Sequence, residues 1–344
     1  MNTFSRRHFL LAAGGGALAS TTVACAEKAR VVRDTSLPNG PFGAKSTAEE
    51  VTAGIDLGGK VALVTGGTSG LGLETLRVLA LRDARVIATG RTLENAREAC
   101  AGVDGDTVPV ALELADLSSI AACAESVRAL GVPLDILVCN AGINTFGELE
   151  LANGVESMFA VNFLGHFALV HELLPLLHAA PTARIVHVGS RSGYRQAPPQ
   201  GIDFDNLRGE RTFDASEAYG RSKLANALFS LDLARRLQET SVTSNVIHPG
   251  LVTTNIARTA PRLVQKAFDL LGPLFAKSVE QGAATQCYVA TAPALAGVSG
   301  AYFEDCNPVR IEGPNHVFDA PMAARLWDTA EEMLAAARAG RRGF

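Results

Sequence analysis

One stretch constrains this chain more than any other. Thr65-Gly66-Gly67-Thr68-Ser69-Gly70-Leu71-Gly72 follows a β-rich run, Val61–Thr65, and opens a segment with helical spacing, Leu71–Leu81. Gly66 permits a tight turn, Gly70 lets the backbone approach a pyrophosphate, and Gly72 allows helix and strand to pack closely. The helix start then offers free N–H groups and a positive dipole end to phosphates. The same rhythm continues downstream. Strand runs are expected at Arg85–Thr89, Thr107–Leu112, Leu134–Asn140, Arg184–Gly189, Val242–His248 and Gly300–Phe303. Helical stretches are expected at Thr92–Ala101, Ser118–Leu130, Asn153–His178, Ser216–Gln238 and Ala323–Ala337. Apolar strands alternating with amphipathic helices imply an α/β doubly wound, mostly parallel seven-stranded sheet, the Rossmann fold. Residues 57–344 are read as its single domain, and the polar segment 27–56 as a linker or arm.

Charge and composition narrow the function. The net charge is 31 − 35 = −4, which argues against a nucleic-acid partner. With 47% hydrophobic and 19% charged residues the chain has ample core. No uninterrupted apolar stretch reaches the roughly 18–20 residues of a membrane span. Residues 1–26 read as a twin-arginine-type signal peptide: Arg6-Arg7, an apolar Gly/Ala-rich stretch, then Ala24-Cys25-Ala26. That implies export from the cytoplasm; Cys25 also offers a partial lipoprotein box. The other cysteines, Cys100, Cys123, Cys139, Cys287 and Cys306, are odd in number and widely spaced. They read as buried free thiols, with a Cys287–Cys306 pair conceivable after export.

The second strand ends Ala88-Thr89-Gly90-Arg91. An acid at position 90 would bind an adenosine 2′-hydroxyl, whereas Arg91 suits a 2′-phosphate, which favours NADP over NAD. Asp116-Leu117, after the third strand, either borders the adenine or caps the next helix. Tyr219 and Lys223 stand four apart on a strong helix and share a face. An ammonium there would bring the phenol toward working pH as an acid–base group.

The chain resembles the short-chain dehydrogenase/reductase family. The motifs occur in family order: Thr65–Gly72, Asn140-Ala141-Gly142, Asn162, Ser190, Tyr219 with Lys223, and Pro249-Gly250. Within the family it looks most like the retinol dehydrogenase and WW-domain oxidoreductase branch, through Val161-Asn162-Phe163-Leu164-Gly165-His166-Phe167, Phe204-Asp205-Asn206-Leu207 and Ser222-Lys223-Leu224-Ala225-Asn226. The resemblance implies that Tyr219 is the acid–base, Ser190 a partner of the reacting oxygen, Lys223 the group that lowers the phenol pKa and binds ribose hydroxyls, and Asn162 the holder of a relay water. It further implies that Gly66, Thr68, Ser69, Gly70, Leu71, Gly72, Asn140, Ala141, Gly142, Pro249, Gly250, Val252 and Thr254 line the cofactor. Ser192 rivals Ser190, which is preferred because it directly follows the strand. Cys139 and Phe163 depart from common family residues at packing positions. His166, His171 and His178 lie on one helix and read as satisfied or exposed histidines, with no metal site.

Residues 251–280 are apolar and helix-prone, with Leu263, Val264, Phe268, Leu270, Leu271, Leu274 and Phe275. In the family this region closes over the substrate, so a lipophilic carbonyl or alcohol is expected; a membrane or subunit docking surface is the alternative. A homodimer or homotetramer is compatible with the family. The leading function is NADP-dependent interconversion of an apolar ketone or aldehyde and its alcohol. Reduction of a carbon–carbon double bond, as in protochlorophyllide reductases, and a non-catalytic nucleotide sensor stand as alternatives.

Overall fold

The computed structural model describes residues 28–252 and 276–339; the leader reading of residues 1–26 and the position Thr254 lie outside them. Its strands are β1 Arg30–Arg33, β2 Val61–Val64, β3 Arg85–Gly90, β4 Thr107–Ala111, β5 Ile136–Cys139, β6 Leu151–Ala152, β7 Val155–Glu156, β8 Ala183–Val188, β9 Val242–His248, β10 Tyr302–Glu304 and β11 Asn307–Glu312. Nine of them form one sheet in the order β1-β11-β10-β9-β8-β5-β2-β3-β4. From β10 to β4 every pairing is parallel. These are the seven strands the sequence predicts. Helices cover both faces, so β2 and β5 are buried along their whole length, as a parallel sheet requires.

Two antiparallel strands extend that seven-stranded sheet, and this corrects the expected count. β11 turns back on β10 through Asp305 and Cys306, both at positive φ (50° and 61°). Neither is glycine, so the usual hairpin signal is missing. β1 comes from the segment read as a linker and pairs with β11, setting Arg30 opposite Glu312. The rest of that arm is also ordered: α1 (Ala48–Val51) begins with a Thr47/Glu50 capping box, and Phe42 packs edge-on to Tyr288 at 5.5 Å.

One face of the sheet carries α4 (Leu117–Arg128), α6 (Gly165–Ala179), the short α7 (Ser192–Arg195), α8 (Ala215–Arg236) and the C-terminal α10 (Ala320–Arg338). The other carries α1, α2 (Gly70–Leu81) and α9 (Val279–Thr291); α3 (Leu93–Ala101) lies beside β3 and β4. Phe159, Phe163, Phe167, Phe229 and Trp327 stack at centroid distances of 4.9–5.8 Å to knit the first face. Ser157–Ala179 is long and apolar enough to cross a membrane, but its most apolar window is 67% buried inside the protein. Its apolar character is that of a core helix.

The expected helix from Asn153 starts later. Asn153 and Gly154 take positive φ (54° and 79°) and turn the β6–β7 hairpin, so helix begins at Ser157 as α5 (Ser157–Phe159). An Asn-Gly pair is the strongest two-residue hairpin signal, and here it overrides the helical spacing. The segment then passes through a π turn, Ala160–Leu164, before α6. All five described cysteines are buried and free. Cys287 and Cys306 form no bridge; each lies beside a threonine hydroxyl, Thr75 at 3.9 Å and Thr285 at 3.8 Å. Burial pushes their thiols up to about 12 and about 11, which keeps them unreactive.

Candidate active site

The parallel strands deliver their carboxyl ends to one edge of the sheet, where ligands bind in open α/β folds. At the end of β2, Gly66 takes φ +65° and Gly70 +53°. A Cβ on Gly72 would strike the Gly66 carbonyl and come within 2.6 Å of Asn140 Nδ2. Only glycine therefore lets α2 start so close to the strand. Ser69 occupies the N-cap but makes no side-chain cap, and the first turn of α2 has no acid. The helices α3, α4, α8, α9 and α10 all have side-chain caps. Leu73 bonds back to Ser69 O, which leaves the earlier N–H groups facing out of the helix end. An uncapped, acid-free helix start behind a glycine turn fits the pyrophosphate of a dinucleotide.

Gly90 is buried at the end of β3, and a Cβ there would lie 2.6 Å from the Thr68 methyl. An acidic side chain at position 90 is excluded by that contact as well as by sequence. Arg91 beside it is exposed and makes no ion pair among the described residues. Asp116 is the N-cap of α4: its Oδ1 accepts the Ser118 N–H at 2.8 Å, and Leu117 opens the helix. The cap reading of Asp116 is thus realised.

The turn after β5 locks onto the glycine turn. Thr65 Oγ1 accepts the N–H groups of Asn140 (2.8 Å) and Ala141 (2.9 Å), while Asn140 Nδ2 donates to Thr65 O at 2.8 Å. Gly142 faces the reacting end, since a Cβ on it would lie 3.2 Å from Asn162 Oδ1 and 3.4 Å from Lys223 Nζ.

Tyr219, Arg221, Ser222 and Lys223 sit on the first turns of α8, which Asp214 caps. Ser190, just past β8, is the side chain that pulls the Tyr219 phenol down. Its Oγ donates to Ser192 Oγ at 3.2 Å and accepts the Ser192 N–H at 3.1 Å, so Ser192 supports Ser190. Lys223 is buried; its Nζ donates to Val188 O at 3.0 Å and stands 5.8 Å from the centre of the Tyr219 ring. Burial lowers Lys223 to about 8. Burial also raises the Tyr219 phenol to about 12, with Ser190 alone pulling the other way. This corrects the expectation that Lys223 brings the phenol down: its charge is not among the groups acting on Tyr219 here, and desolvation dominates.

The Asn162 side chain is bonded on two sides within the protein. Oδ1 accepts the Ile143 N–H at 2.7 Å, and Nδ2 donates to Ile143 O and to Ser222 Oγ, both at 2.9 Å. With both donors used, the side chain is a clamp between the Asn140–Gly142 turn and α8. Beside the clamp lies a buried pair, Glu156 and Arg221, that no motif or spacing points to. Glu156 accepts the N–H groups of Met158 and Phe159, and Arg221 NH2 lies 3.6 Å from the same carboxylate.

Gly250 takes φ +101° against the Lys277 side chain. Val252 and Leu71 both border Gly282, where a Cβ would come within 2.7 Å of each, so the Pro249–Val252 turn lies near the start of α2. Of the cofactor positions expected from sequence, all but Thr254 are described. The lid residues Leu263, Val264, Phe268, Leu270, Leu271, Leu274 and Phe275 also lie outside the described residues.

Residues 60–202 match the family model for short chain dehydrogenase. The chain is 38% identical over 306 residues to the short-chain dehydrogenase TIC 32 B, chloroplastic, of Brassica napus, covering 85% of this chain and 94% of that one. It is 39% identical over 296 residues to retinol dehydrogenase 14 of Homo sapiens, covering 80% and 86%. The Pseudomonas aeruginosa RhlG/NADP active-site complex superposes with a TM-score of 0.57 at 25% identity, over 73% of this chain and 96% of that one. The chain belongs to the short-chain dehydrogenase/reductase family, an oxidoreductase family with a nicotinamide cofactor. Within it, the chain falls in the branch of the retinol dehydrogenases and WW-domain oxidoreductases.

Proposed function

We propose that this protein is an NADP-dependent oxidoreductase interconverting an apolar ketone or aldehyde and its alcohol, with Tyr219 as acid–base. The observation that carries the proposal is the Ser190–Tyr219–Lys223 group at the carboxyl end of the sheet, beside an uncapped helix start. The phenol held up to about 12 is protonated at neutral pH, which suits proton donation to a carbonyl oxygen. Ser190 shares that oxygen and stabilises charge as it develops. Lys223 offers donors beyond the one given to Val188 O, placed for ribose hydroxyls. Asn162 fixes the spacing between Gly142 and α8. The nicotinamide, when bound, supplies the hydride.

The exposed Arg91 beside Gly90 supports NADP over NAD, with Asp116 and Leu117 bordering the adenine side. The apolar composition of residues 251–280 supports a lipophilic substrate. Export through residues 1–26 is a separate proposal that rests on Arg6-Arg7 and Ala24-Cys25-Ala26 alone; a reporter fused behind those residues tests it. The function is tested by following NADPH and NADH absorbance against apolar aldehydes and ketones, with Tyr219→Phe as the blank. Turnover with NADPH that falls at least 100-fold in the variant is expected. Equal turnover by the variant would overturn the role of Tyr219.

A further inference from the structure

His166, near the end of the Val161–Phe167 motif, has no role assigned above, yet it bridges two parts of the site. It is 2% exposed on the first turn of α6. Nδ1 lies 3.0 Å from the Asn162 carbonyl oxygen and Nε2 lies 2.9 Å from Thr65 Oγ1. The carbonyl can only accept, so Nδ1 carries the proton and Nε2 is bare. Thr65 must then donate its hydroxyl proton to Nε2, which leaves its lone pairs to Asn140 N–H and Ala141 N–H. The other acceptor in reach of Thr65, Val138 O, is farther away at 3.4 Å. One neutral imidazole therefore joins the glycine turn, the Asn140–Gly142 turn and the backbone of Asn162. Asn162 sits in the π turn, where Gly165 N–H reaches back five residues to Ala160 O, so local helix bonding holds this turn less regularly than an α-helix would.

We infer that His166 is a positioning residue: through its Nδ1–H bond to the Asn162 carbonyl it sets the height of the Asn162 clamp, and so of Lys223, against the nucleotide turn. The inference rests on the oxidoreductase reading. Burial holds His166 down at about 4, with the Lys223 charge acting in the same direction, so the imidazole is neutral under working conditions.

Two near-isosteres divide the two bonds. In His166→Asn the amide can replace Nδ1 and keep the bond to Asn162. In His166→Gln the amide can replace Nε2 and keep the bond to Thr65. We expect His166→Gln to lower kcat about tenfold or more, while the Kd for NADPH stays within twofold and the circular dichroism is unchanged. His166→Asn should recover most of that kcat. A purely structural histidine would lower Tm in both variants and leave kcat per folded molecule alone, which would overturn the inference; so would rescue by Gln rather than Asn. A readout that needs no turnover is the 15N spectrum of histidine-labelled protein, where His166 should show a protonated Nδ1 and a bare Nε2. The opposite tautomer would also overturn it. If the wild-type protein turns over no carbonyl while the tautomer is as expected, the oxidoreductase reading fails and the bridge stands.

Discussion

The two ends of the sheet obey different rules. At the antiparallel edge, β1 and β11 pair in full register, and their charges sit in exposed ion pairs, Arg30–Glu312 at 2.6 Å and Arg310–Asp34 at 2.8 Å. The arm's short helix α1 has a complete capping box. At the carboxyl end of the parallel strands, α2 is uncapped, a lysine is buried among neutral groups, a helix carries a π turn, and a buried phenol is held protonated. The first three of these features cost stability. The difference locates the function: local stability rules are relaxed where a ligand or reaction uses the relaxed group, and they are kept where the chain only has to close an edge.

Four changes test that contrast. Among these substitutions the largest effect is expected from Gly72→Ala. Its Cβ would run into the Gly66 carbonyl, a backbone atom fixed by β2, so the turn must deform. We expect a stability loss of about 1–3 kcal/mol by urea unfolding, with nucleotide affinity lowered at least tenfold by titration. Acid should next reveal the site end. His166 and His248 are held by burial at about 4 and about 3, below the ordinary 6.5. The unfolded chain binds their protons first, so their contribution is present above pH 6.5 and is lost as pH falls toward 4. We expect the unfolding free energy to drop by several kcal/mol across that window. A flat profile there would contradict neutral buried imidazoles. Arg91→Ala should weaken NADPH binding roughly tenfold, while NADH binding stays within a few-fold; equal effects on both would refute the 2′-phosphate role. The smallest effect belongs to the arm. Arg30→Ala removes an exposed pair and should change stability by less than about 0.5 kcal/mol.

The same contrast explains what could be read from the sequence. The site was legible because it is built from exceptions. Glycines at 66, 70 and 72, an Arg after Gly90, and a Tyr/Lys pair at helical spacing are few and chemically pointed, and the structure brings them together. The seven parallel strands were legible as apolar runs. The β1 strand was not: Arg-Val-Val-Arg is four residues long, and Arg30 pairs with Glu312, 282 residues on, so no local pattern announces the pairing. The β10–β11 turn was hidden because Asp305 and Cys306 take positive φ without glycine. The β6–β7 hairpin carried a visible Asn-Gly signal that the helical spacing after it masked. The partners of Asn162 and the tautomer of His166 depend on three-dimensional contacts and could not be read from spacing.

The most direct measurement is made on Lys223→Met, comparing turnover and unfolding free energy in the same preparation. The gap between about 8 and the ordinary 10.5 for Lys223 corresponds to an electrostatic penalty on the order of 3 kcal/mol at neutral pH. That penalty is present below pH 8 and fades as pH rises from 8 to 10.5, because the unfolded chain holds the proton over that range. We expect the variant to lose nearly all turnover and to unfold at higher urea than the parent at pH 7, with the advantage shrinking toward pH 10. Retained turnover, or a loss of stability at pH 7, would contradict the claim that this end of the sheet gives up stability for chemistry.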